Sequence, residues 1–94
     1  MGNYRKYLVV YDVSDDRERH RVSKTLEGYG FRIQKSAFEC SLTRSGKERI
    51  IERLKALEIE TGFVNIYQVH ANARVISIGL VPEHDPDGDH AYVV

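Results

Sequence analysis

Tyr7-Leu8-Val9-Val10-Tyr11 is a run of strand length that is apolar at both parities. Successive strand residues point to opposite faces, so this segment presents apolar groups to both sides of any sheet it joins. It reads as a central strand that needs cover above and below. The chain around it is short, at 94 residues, and allows one domain. At that size a lone chain buries roughly 60–65% of the surface its unfolded form exposes, which allows either a self-sufficient monomer or one helped by a partner copy.

The run stops at Asp12, and Ser14-Asp15-Asp16 supplies helix-start chemistry, with Asp15 as the cap and Glu18 three residues on. Val22, Leu26 and Tyr29 then form one apolar helical stripe, closed by Gly28 and Gly30. Phe31 to Leu42 reads as a second strand. Its apolar residues change parity from odd (Phe31, Ile33) to even (Phe38, Cys40, Leu42), which implies a bulge or twist near residues 34–36. Ser45 with Glu48 makes a capping-box signature for a helix with Ile50, Ile51, Leu54 and Leu57 on its apolar side. Phe63 to His70 and Arg74 to Val81 read as a third and a fourth strand.

This pattern predicts an α+β, ferredoxin-like βαββαβ fold over residues 1–81: a four-stranded antiparallel sheet with two helices on one face. The other sheet face would be bare and partly apolar, and a twofold partner is the economical cover. Residues 82–94 read as an acidic arm ending in Tyr92-Val93-Val94, a short extra strand able to add to a sheet edge.

Charge narrows the partners only partly. The 14 basic and 14 acidic residues cancel, yet residues 1–50 hold 11 of the basic and 7 of the acidic ones, and the remainder holds 3 and 7. Such a gradient is read either as one positive face on a neutral protein or as two ordinary solvated surfaces. A single cysteine excludes an internal disulfide and a cysteine-based zinc cluster. The longest apolar run is far below the roughly 20 residues that cross a bilayer, and the first six residues lack a signal-peptide core. A cytoplasmic protein with no membrane partner is expected.

Asp12 is the residue best placed for chemistry, since a carboxylate at a strand end faces the space above the sheet edge. Taken alone it is also an ordinary turn-former. In a dimer paired about the first strand it would appear twice, and two such carboxylates make a Mg²⁺ site. That ion keeps several waters and takes few protein ligands. Arg17, Arg21 and Lys24 form a basic helical stripe away from the apolar one, and Arg19 could point towards the Asp12 end of the sheet. Arg32 and Lys35 add charge on the second strand. The stripe is either a solvated face or a phosphate-backbone contact.

Three segments resemble the CRISPR-associated Cas-two family: Tyr11-Asp12-Val13-Ser14-Asp15-Asp16, the Arg-rich helix start, and Tyr29 to Glu39 with its Arg32-x-Gln34-x-Ser36-x-Phe38-Glu39 pattern. The resemblance runs from about residue 4 to 81. It implies a homodimer with sheets face to face and a role in acquiring new spacers. In that role the dimer bridges CRISPR integrase dimers and holds double-stranded DNA. It also implies Mg²⁺-dependent endonuclease activity on single-stranded RNA or on DNA in many members. Carried over by motif position, Asp12 is the metal-binding and catalytic carboxylate, with Tyr11 beside it, and Arg19, Arg21, Arg32 and Phe38 match positions of activity or substrate contact. Glu18 departs from a helix start that is more basic in the family, and Ala37 replaces the common Val. A non-cleaving scaffold, a toxin-type endoribonuclease of the same fold outside a CRISPR system, and a small-molecule regulatory module are the competing readings. The last leaves the Arg-rich helix unexplained.

Overall fold

The structure, a computed structural model, describes residues 3–80 together with the backbone of residues 92 and 93. Its elements are β1 (Arg5–Val13), α1 (Asp16–Glu27), β2 (Gly30–Gln34), β3 (Ala37–Leu42), α2 (Arg44–Ala56), β4 (Gly62–Val69), β5 (Val75–Ile76) and β6 (Tyr92–Val93). The main sheet is antiparallel in the order β2-β3-β1-β4, with β1 inside it as its apolar run demands. This is the expected βαββαβ architecture.

The division of the chain differs from the sequence reading in two places. Phe31 to Leu42 is a hairpin of two strands, not one strand. The parity change marks a break in register between Arg32 and Gln34, followed by a turn through residues 35 and 36. The stretch Arg74 to Val81 does not form the sheet's fourth strand. Within its described part only Val75–Ile76 is extended, and that pair runs parallel to Tyr92–Val93 outside the main sheet. The four sheet strands are thus complete by Val69. The acidic arm between residues 82 and 91 lies outside the described residues.

Both helices cover the same sheet face. Tyr7, Val9, Tyr11 and Val13 of β1 meet Phe38, Cys40 and Leu42 of β3 and Val22, Leu26, Ile50 and Leu54 of the helices in one buried cluster. Burying these side chains contributes roughly 1.5–3 kcal/mol each. On the opposite face Leu8 and Val10 lie level with Tyr67 and Asn65 of β4, and Asp12 lies level with Phe63. That face has no helix. Phe63 and Tyr67 are each about half exposed, at 52% and 50%.

The helix starts follow local chemistry, with one correction. Asp15 caps α1, its Oδ2 accepting from the Glu18 amide at 2.9 Å. The cap of α2 is Thr43, not Ser45: Thr43 Oγ1 accepts from the Gly46 amide at 3.1 Å, and Ser45 is already inside the first turn. Thr43 follows directly on Leu42, so the strand runs into the cap with no intervening loop. Among the described residues no helix is long and apolar enough to cross a membrane.

Candidate functional site

The C-terminal end of β1 gathers most of the residues singled out from sequence, but it distributes them over two faces. Asp12 is exposed and lies on the helix-free face. Tyr11, one residue earlier, points the other way and is buried at 2% exposure. One chain therefore does not assemble Asp12, Tyr11, Arg32 and Phe38 around a single point.

Tyr11, Arg32 and Phe38 form a compact unit under the β2–β3 turn. The Arg32 guanidinium donates to the Tyr11 hydroxyl at 3.3 Å and to the Lys35 carbonyl, and lies 4.9 Å above the Phe38 ring. The Tyr11 and Phe38 ring centres are 6.4 Å apart. A buried phenol, a cation over an aromatic face and a turn carbonyl satisfy one another here. The unit holds the hairpin tip against β1.

Arg19 reaches the end of β1, as its position on the helix suggests. It donates to the Val13 carbonyl at 2.9 Å and the Ser14 carbonyl at 3.2 Å, and pairs with Asp16. Its charge is engaged in closing the β1–α1 loop. Arg17, Arg21 and Lys24 project from the exposed side of α1. Arg17 and Arg21 border a shallow hollow with Asp16 and His20, and Arg21 Nε donates to the Arg17 carbonyl at 3.4 Å. Lys35 is exposed at the hairpin tip.

Two residues that organise this end were not read as such from the sequence. Glu18 turns inward rather than lying on the basic helix face. Its carboxylate accepts from the Glu60 amide at 3.1 Å, the Thr61 amide at 3.0 Å and the Thr61 hydroxyl at 2.6 Å. The Thr61 hydroxyl holds its carboxyl below the ordinary value of 4.5. Burial opposes that shift, and the backbone amides and the Arg21 charge reinforce it. Thr61 in turn accepts from the Asp15 amide and from Ser14. The only sequence signal was Glu18 at the capping-box position. Its partners lie more than 40 residues away and left no local trace.

Among the described residues no group of three or more His, Cys, Asp or Glu side chains could enclose a metal ion. Asp12 offers one exposed carboxylate. That fits a hard cation which retains its waters and uses one or two carboxylates with substrate phosphates, and fits no ion that needs a full protein cage.

A ferredoxin-like sheet with a bare, partly apolar face, two helices on the other face and a strand-end carboxylate define a small α+β protein of the ferredoxin-like class. Comparison with known proteins makes this specific. The chain belongs to the CRISPR associated protein Cas2 family, whose family model matches residues 5–75. It is 43% identical over 85 residues to a CRISPR-associated endoribonuclease Cas2 of Synechocystis, covering 87% of this chain and 92% of that one. It is 38% identical over 72 residues to the CRISPR-associated endoribonuclease Cas2 of Mycobacterium tuberculosis, covering 77% of this chain but only 64% of the relative's length. A Thermus thermophilus protein named a CRISPR-associated endonuclease Cas2 is 36% identical, covering 84% of this chain and 89% of that one. A crystal structure of Cas2 superposes with a TM-score of 0.77 at 30% identity, covering 86% of this chain and 93% of that one. The Streptococcus pyogenes Cas2 structure superposes with a TM-score of 0.65 at 32% identity, covering 71% and 88%.

Proposed function

We propose that this chain works in the cytoplasm as the homodimeric Cas2 subunit of a CRISPR adaptation complex, binding nucleic acid and cleaving phosphodiester bonds with Mg²⁺. The observation that carries this reading is the position of Asp12, exposed at the end of the apolar open face of Leu8, Val10, Phe63 and Tyr67. A second copy laid on that face removes its apolar groups from water and brings the two Asp12 side chains towards one axis. The Asp12 pair would hold Mg²⁺ through its two carboxylates, and the ion would supply Lewis-acid chemistry to phosphodiester hydrolysis there.

The remaining residues fall into two roles. Arg17, Arg21, Lys24 and Lys35 stand outside the open face and neutralise backbone phosphates of double-stranded DNA or single-stranded RNA. Tyr11, Arg32, Phe38 and Arg19 keep the hairpin tip and the β1–α1 loop in place around the Asp12 end. In adaptation the dimer bridges integrase dimers across a bound duplex.

Asp12→Asn tests the reading. The variant is expected to lose Mg²⁺-dependent cleavage and to keep its affinity for duplex DNA. Persistence of cleavage at the wild-type rate would remove Asp12 from the chemistry.

A further inference from the structure

The far end of the sheet from Asp12 carries a second basic feature. A groove of about 660 Å³ opens on the helix-covered side, where β1 begins, β3 ends and α2 starts. Arg5 of β1 and Arg44 and Lys47 of α2 border it, with Tyr7, Ser45 and Gln68 among the other lining residues.

The three cations are little used by the fold. Among the described residues the Arg5 side chain has no hydrogen bond or ion pair, its backbone pairing with Leu42 in the β1–β3 ladder. Arg44 meets Glu48 only at 3.9 Å, with side chains 92% and 66% exposed, an arrangement that contributes little in water. Lys47 rests 5.9 Å from the Tyr7 ring centre and has no carboxylate partner among the described residues. The first turn of α2 contains no acidic residue, whereas that of α1 holds Asp16 and Glu18. The groove is thus positive on both its strand side and its helix side, and Glu48 is its one acid.

We infer that this groove is a second contact site for the sugar–phosphate backbone of a nucleic acid, separate from the α1 stripe. The chemistry favours an extended polyanion over a discrete small ligand. A small-molecule pocket needs converging buried polar groups, whereas cations on two elements, Arg5 and Arg44 exposed and Lys47 half-buried, act by neutralising successive phosphates and releasing counterions. Arg5 and Asp12 are seven residues apart on one strand, about 24 Å at the rise of an antiparallel strand. Asp12 lies on the opposite face of the sheet from the groove, so the groove is separate from the Asp12 end as well as from the α1 stripe. The groove opens on the helix side and stays accessible when the open face is covered. The inference rests on the nucleic-acid role proposed above and adds a location to it.

The test compares the wild type with the Arg5→Ala/Arg44→Ala/Lys47→Ala variant, using fluorescein-labelled duplex DNA and single-stranded RNA of mixed sequence over about 50–200 mM salt. Circular dichroism checks the fold, and the Arg44→Ala/Lys47→Ala pair, which leaves β1 untouched, serves if the triple variant does not fold. Loss of three phosphate contacts is expected to make the slope of log affinity against log salt shallower by about 2–3 for duplex, and by about 2 for the pair. Binding by the wild type with an unchanged slope in the folded variant would overturn the groove and leave the nucleic-acid reading standing. Absence of binding by the wild type itself would overturn both.

Discussion

The Thr61 hydroxyl donates a 2.6 Å hydrogen bond to the carboxylate of Glu18, joining the first turn of α1 to the residue that precedes β4. The same Thr61 oxygen accepts from the Asp15 amide at 3.0 Å, and the Thr61 carbonyl accepts from the Ser14 amide at 3.1 Å. The loop that follows Asp12 is therefore stitched to the start of the neighbouring strand. Removing the hydroxyl in Thr61→Val is expected to cost about 1 kcal/mol, read as a lower urea midpoint with an unchanged slope.

The same network makes stability depend on pH in a defined direction. Glu18 titrates below its ordinary value of 4.5 in the folded chain. Its contribution is complete above the unfolded value and drains away as pH falls through the folded one. Glu18→Gln is expected to be less stable than the wild type at pH 7, with the gap narrowing as both are acidified below the ordinary value. A gap that stays constant through that range would separate Glu18 from acid sensitivity.

Gly62 stands opposite Val13 in the β1–β4 ladder. A Cβ there would sit 1.8 Å from the Asp12 carbonyl oxygen and 2.8 Å from the Val13 Cα, both backbone atoms that cannot turn aside. Gly62→Ala is expected to destabilise by about 3 kcal/mol through forced separation of the two strands. Denaturant unfolding checks this, and a midpoint equal to the wild type would show that β4 shifts without penalty.

Cys40 is fully buried in the core, and its thiol is pushed up to about 11, by burial first and by the Glu39 charge second. At pH 8 the folded chain holds roughly a hundredfold less thiolate than an ordinary cysteine with a value of 9.0. A thiol reagent is expected to label Cys40 at the rate of unfolding and no faster. Rapid labelling of the native protein would mean that the β2–β3 side of the core opens on its own.

The features legible in sequence are those decided within a few residues. The apolar stripes of Val22 and Leu26 and of Ile50 and Leu54, the Asp15 cap and the apolar β1 run all express the helical or strand period directly. Asp12 at the end of that run was equally legible, as was the bare sheet face beyond it. Arg19 could be aimed at the end of β1 from its helical position alone.

Tertiary structure decided the rest. The parity change in Phe31 to Leu42 was visible, but only the pairing of β2 with β3 shows that it divides two strands, and only the sheet's strand order shows that Val75 and Ile76 stand outside it. The separation of Asp12 from Tyr11, Arg32 and Phe38 depends on which face of β1 the helices cover. The inward turn of Glu18 depends on Thr61 arriving beside it. Local periodicity and capping are set by short-range sterics and hydrogen bonding that neighbouring residues contain in themselves. Strand register and the partner of a buried carboxylate are set by which distant backbone comes within bonding reach, and the folded chain alone brings those groups together.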